Sequence, residues 1–208
     1  MPRRLHENTL ISFAAALAAG ADGIELDVHA TADDVVVVHH DPTLRGLDIR
    51  RTAWAVVRVT EVAPGVQAPT LNEVLDLVGG AAELFVEVKG AGIEDRVAEV
   101  LRGYGGAAAI HSFDHALIGR LARRGVPYRL GLLFDDDAVR VDDALAEHGA
   151  LDAWPHHSLV TARLVDDVHA AGGRILPWTV NDVAVARRLA SWGVDGLCTD
   201  DVTLLDEL

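Results

Sequence analysis

Among eighteen basic residues this 208-residue chain has a single lysine, Lys89, and it has a single cysteine, Cys198. One cysteine excludes an intrachain disulfide, and its place in the apolar stretch 194–198 marks it as a buried small hydrophobe rather than a nucleophile. No GxGxxG or Walker-type phosphate loop occurs, which counts against a nucleotide-binding sheet. No apolar run is long enough for a membrane span, and there is no low-complexity tract. Positive charge is scarce too. The formal net charge of -14 argues against a nucleic-acid partner, because binding a phosphate backbone calls for a basic footprint. A phosphorylated substrate would need a local cation, and a lone ammonium in an arginine-rich chain is a candidate for that task.

Arg3 and Arg4 before the apolar run 10–19 have the look of a secretory signal. Glu7-Asn8-Thr9, however, is an acidic and capping start, and Leu10, Phe13, Ala14 and Leu17 fall at helical spacing. The pattern predicts a structural helix and a cytoplasmic protein. With half its residues apolar and a quarter charged, the chain reads as one globular domain over 1–208.

Beyond this helix, short apolar runs alternate with amphipathic stretches that end in glycine, a strand-helix rhythm. Strands are expected at 23–29, 35–40, 84–89, 107–113, 129–134, 151–155, 174–180 and 194–198. Thr70-Leu71-Asn72-Glu73 is a capping box, Thr161 caps a helix running to Gly172, and Asn181 caps another running to Gly193. Such repetition leaves a doubly wound sheet or a (β/α)8 barrel, and acids and histidines at several strand ends favour the barrel.

The run Gly23-Ile24-Glu25-Leu26-Asp27-Val28 places Glu25 and Asp27 on one strand face, as Phe85-Val86-Glu87-Val88-Lys89 does with Glu87 and Lys89. Three carboxylates in apolar surroundings suit a hard cation, Mg2+ or Ca2+; the alternative is a salt-bridge cluster neutralised by Lys89. Only residues 31–34 separate the second and third apolar runs, too few for a parallel crossover, so these runs form a hairpin. A turn centred between Asp33 and Asp34 would set residue 27 opposite residue 40, joining Asp27 to His40 rather than His39. A histidine there could exchange a proton near neutral pH.

Taken together, Glu7-Asn8-Thr9, Gly23 to Val28, His40-Asp41 with Leu44 and Arg45, Pro69-Thr70-Leu71, Val86 to Lys89, Ser112-Phe113-Asp114, Trp178 to Asn181 and Gly193 to Gly196 with Thr199-Asp200 resemble the glycerophosphodiester phosphodiesterase family in its own order. The resemblance implies a TIM-type barrel that hydrolyses glycerophosphodiesters to glycerol 3-phosphate and an alcohol. It also implies that Glu25, Asp27 and Glu87 hold a divalent cation. His40 and Lys89 would be catalytic, the histidine as acid/base and the lysine as a charge on the phosphate. Glu7, Phe113 and Trp178 would contact the small-molecule substrate.

One family feature is missing. The His-Arg-Gly strand end that precedes Glu-Asn-Thr in the family has no counterpart before Glu7. The expectation is therefore a domain shortened at its N-terminus and a barrel without its first strand. Two further readings follow: a homologue that binds or regulates without catalysis, and a lipid phosphodiesterase resembling sphingomyelinase D. The brief segment 43–68 leaves little room for a cap domain, which predicts an open site.

Overall fold

The computed structural model describes residues 5–136 and 140–207, in two compact units that divide between Ala108 and Ala109. The first unit begins with α1 (Leu10–Ala18). Thr9 and Ser12 cap it reciprocally, each side chain accepting from the other's backbone N–H at 3.3 Å. Of the expected stripe only Phe13 is buried; Ser12 and Ala16 join it, whereas Ala14 faces out. Burying a phenyl ring is worth far more than burying a methyl, so Phe13 sets the rotation of the helix.

β1 (Gly23–Ala30) pairs with β2 (Val36–Val38) antiparallel and, further along the chain, with a parallel strand at 83–88. The hairpin register differs from the expected one. Val28 lies opposite Val38 and Ala30 opposite Val36, which sets residue 27 opposite residue 39; the His39 N–H donates to the Asp27 carbonyl at 3.0 Å. The loop accounts for the shift. Asp34 takes the left-handed conformation at φ 60 and Thr31 N–H donates to the Val35 carbonyl, closing a three-residue loop, 32–34, instead of an even-numbered one.

Segment 43–68 holds β3 (Thr43–Leu44), β4 (Leu47–Asp48), α2 (Trp54–Val57), β5 (Glu61–Ala63) and β6 (Val66–Gln67). These pieces share a small core of Val37, Leu44, Ile49, Val57, Val62 and Ala68. Arg45 ties them together by donating to the carbonyls of Glu61 and Val62 at 3.1 and 3.2 Å. α3 (Leu71–Val78) starts in the expected box of Thr70 and Glu73, buries Leu71, Val74, Leu75 and Val78, and ends at Gly79 in the left-handed region. β7 (Glu83–Val88) and α4 (Glu94–Leu101) complete the unit.

One face of β1 and β7 is wholly apolar, with Ile24, Leu26, Val28, Leu84, Val86 and Val88 all buried. Gly23 is required where it stands: a Cβ there would lie 2.6 Å from the Phe85 ring.

The second unit alternates β8 (Ala108–Ser112), α5 (His115–Arg124), β9 (Arg129–Phe134), α6 (Val141–His148), β10 (Asp152–Pro155), α7 (Ala162–Ala170), β11 (Arg174–Ile175) and α8 (Val183–Ser191). β8, β9, β10 and β11 form a parallel ladder in that order. At its N-terminal edge the fully buried Asp152 accepts from Arg129 and Arg174 at 2.6 to 3.0 Å, so the one carboxylate binds three strands together.

Four sequence expectations are corrected here. The strand expected at 174–180 is assigned only over Arg174–Ile175, although Leu176 N–H still donates to the Ala153 carbonyl at 2.9 Å and Trp178 N–H to the Pro155 carbonyl at 3.1 Å. Residues 194–198 carry no assigned strand, although Asp195 N–H donates to Ile175 and Cys198 N–H to Pro177, both at 3.0 Å. Cys198 itself is half-buried. Asp182, not Asn181, caps α8; Asn181 instead donates to Asp200 at 2.7 Å.

Candidate active site

Strand alternation places Glu25, Asp27 and His29 on the face of β1 opposite its apolar side. Asp27 on β1 and Glu87 on β7 are direct parallel partners, and the Lys89 N–H donates to the Val28 carbonyl. The two motifs therefore lie side by side. Lys89 Nζ sits 2.9 Å from Glu87 Oε1 and 3.3 Å from Asp27 Oδ1, bridging the strands. A carboxylate oxygen of Glu25 and one of Glu87 lie within 4.8 Å of each other.

Asp27 and Glu87 are buried. Asn8, in the left-handed region at φ 55, holds Asp27 from the head of α1: its Nδ2 donates to Oδ2 at 2.8 Å and its Oδ1 accepts from the Asp27 N–H at 3.1 Å. Glu7 beside it is exposed.

The ionisation states follow from this crowding. Glu25 is only part-buried by surface, yet enough protein surrounds its carboxylate to hold it well above the usual range. Burial is the chief cause; Asp27 adds to it, Lys89 and His40 oppose it, and Glu7 contributes slightly. Burial disfavours the Lys89 ammonium, but the Asp27 and Glu87 carboxylates outweigh it and raise its pKa.

His40 is exposed and its Nδ1 meets Asp41 Oδ1 at 2.8 Å. Burial works against its protonated form. The Asp41 hydrogen bond, aided by Asp27 and Glu7 and opposed by Lys89, lifts it above the ordinary value. His40 thus shares its field with Glu25, Asp27, Lys89 and Glu7, whereas the half-buried His39 feels Asp41, His40 and His6 and is lowered mainly by burial.

His40 comes within the electrostatic reach of the acids by a route other than direct strand pairing. β2 stops at Val38 and the chain then bends. In the second unit Phe113 and Trp178 pack edge to face with ring centres 5.6 Å apart; Phe113 is exposed, and Trp178 Nε1 donates to the Trp154 carbonyl at 2.8 Å.

Sequence reasoning gave no role in the site to Asn8, His29 or Asp41. The alternation that paired Glu25 with Asp27 extends to His29 and could have found it. Asn8 needed the fold, since nothing local links residue 8 to residue 27.

The protein-family comparison agrees with this geometry. The model of the "Glycerophosphoryl diester phosphodiesterase family" matches residues 1–204. A glycerophosphodiester phosphodiesterase of Caldanaerobacter subterraneus subsp. tengcongensis is 29% identical over 226 residues, covering 99% of this chain and 93% of the relative. The crystal structure of a "Putative glycerophosphoryl diester phosphodiesterase" from Silicibacter pomeroyi superposes with a TM-score of 0.86 at 29% identity, covering 96% of this chain and 88% of that one. An Oleispira antarctica phosphodiesterase, solved with the product sn-glycerol-3-phosphate, superposes at 0.88 with 23% identity, covering 97% and 90%. The fold is thus the α/β fold of TIM type found in these structures. This chain belongs to the glycerophosphoryl diester phosphodiesterase family, a family of phosphodiester hydrolases.

Proposed function

We propose that the chain is a divalent-cation-dependent phosphodiesterase that hydrolyses glycerophosphodiesters, such as glycerophosphocholine or glycerophosphoethanolamine, to glycerol 3-phosphate and an alcohol. The observation that carries this reading is the charge balance of the strand-borne cluster. Three carboxylates, Glu25, Asp27 and Glu87, face one ammonium, Lys89, so the ionised set has two negative charges in excess (3 - 1 = 2). The pKa of Glu25 is raised chiefly by burial, with Asp27 adding to it, and one hard divalent ion would favour the ionised carboxylates.

Glu25, Asp27 and Glu87 would hold Mg2+ or Ca2+. Bound there, the cation supplies Lewis-acid polarisation of the phosphoryl group and offsets charge built up in the transition state. With the His40 Nδ1–H donated to Asp41, its Nε2 is the atom that takes or gives a proton at the glycerol hydroxyl or the leaving oxygen. The raised pKa keeps a larger share of His40 protonated near neutrality, which suits an acid role. Lys89 remains charged and presents a compact cation to the phosphate. Glu7 accepts from substrate hydroxyls, and Phe113 and Trp178 contact the glycerol or alcohol part. The glycerol 3-phosphate bound by the Oleispira relative supports this substrate class.

The test is turnover of glycerophosphocholine with Mg2+, Ca2+ or a chelator, followed as release of glycerol 3-phosphate. Chelation should abolish turnover, and Glu25→Ala or Glu87→Ala should abolish cation binding. His40→Ala should lose activity, by about a hundredfold or more, while still binding the ion. Undiminished turnover in chelator would overturn the proposal.

A further inference from the structure

β2 and β1 part company after His39, whose N–H makes the last ladder contact with Asp27. An ordinary strand end would leave the next carbonyl to solvent. Here the carbonyl of His40 is taken by a side chain: the ring Nε2 of His29 lies 3.1 Å from it. His29 is two residues beyond Asp27 on the face that carries Glu25, and it is buried. In the straight ladder His29 lies opposite Val37, three residues short of His40. That its ring nevertheless meets the His40 carbonyl shows that the chain has left the straight ladder course by residue 40, where it bends.

We infer that His29 is a positioning residue for His40: its ring N–H pins the His40 carbonyl and so fixes the bend that carries the His40 imidazole over Glu25 and Asp27. This rests on the catalytic reading of His40 given above. A carbonyl only accepts, so the proton of His29 is on Nε2. The two histidines divide the work. Asp41 orients the His40 ring through Nδ1, while His29 fixes the backbone from which that ring projects. Small displacements of a proton-transfer group are costly, because a shift of about 1 Å can cut turnover by about a hundredfold.

Reach supplies the test. A glutamine amide nitrogen is as many bonds from Cβ as His Nε2, whereas an asparagine amide nitrogen is one bond short. The His40 imidazole signals, assigned by their loss in His40→Ala, would be recorded by 1H–15N NMR in the wild type, His29→Gln and His29→Asn, alongside kcat and KM on glycerophosphocholine. His29→Asn should displace the His40 signals and lower kcat about tenfold or more, with KM changed less than about twofold; His29→Gln should restore both. Should the His29→Asn chain not fold, His29→Leu, with no donor, replaces it. Unmoved His40 signals in the donor-lacking or short-reach variant would overturn the inference, as would a His29→Gln chain displaced as far as His29→Asn. Full turnover in His40→Ala would overturn the catalytic reading of His40, and the NMR signals would then decide the positioning role by themselves.

Discussion

Asn8 grips Asp27 with both ends of its amide, donating to Oδ2 at 2.8 Å and accepting from the backbone N–H at 3.1 Å. A residue ahead of the first helix thus fixes an acid on the first strand. Asn8→Ala would remove a hydrogen bond to a charged group, worth about 1.5–3 kcal/mol, and force alanine into the left-handed region at a further cost of about 1–2 kcal/mol. Urea unfolding should show a loss of about 3 kcal/mol or more. An unchanged midpoint would mean that Asp27 does not depend on this clamp.

Lys89 bridges two buried carboxylates, so its removal takes away the countercharge they share. Lys89→Met should lower the stability of the metal-free protein by about 3 kcal/mol, the low end for breaking a buried pair, because the ammonium keeps some solvent contact. Added Mg2+ or Ca2+ should raise Tm more in Lys89→Met than in the wild type. Equal Tm gains in the two proteins would separate Lys89 from the cation site.

Asp41 lifts the pKa of His40 through the Nδ1 hydrogen bond. Asp41→Asn should therefore move the His40-dependent limb of the pH–rate profile to lower pH, whether His40 acts as acid or as base. A limb that stays in place would remove Asp41 from the mechanism.

His29 and His40 should give opposite pH dependence of stability. The pKa of His29 is lowered from 6.5, mainly by burial. Below 6.5 the unfolded chain binds a proton that the folded one resists, so the His29 contribution is complete above that pH and lost as pH falls. The pKa of His40 is raised; its contribution is complete below 6.5 and lost as pH rises through the folded value. Unfolding free energies at several pH values should show the wild type losing ground to His29→Gln on acidification and gaining ground on His40→Gln. Parallel curves would contradict both assignments.

Much of the fold was legible because its signals are local. The capping box at Thr70 and Glu73, the left-handed Gly79 and the apolar stripe of α3 need only neighbouring residues. The hairpin shows the limit. Its existence follows from the short connection, but its register rests on one residue, Asp34, taking a positive φ, and that moved every pairing by one position. The pairing expected of His40 is made by His39; β2 ends at Val38, and His40 is linked to Asp27 through its electrostatic field instead. The expected cap at Asn181 failed similarly, since a distant Asp200 claims its amide.

By itself the sequence determined which side chains share a face: alternation puts Glu25 with Asp27 and Glu87 with Lys89 whatever the strands pair with. Only the tertiary structure decided that Asp27 lies beside Glu87, that Lys89 bridges them, and that Asn8 and His29 reach in to hold Asp27 and His40. The physical reason is range. Side-chain direction along a strand is set by covalent geometry over two residues, whereas the register between strands some sixty residues apart is set by the packing of the whole unit.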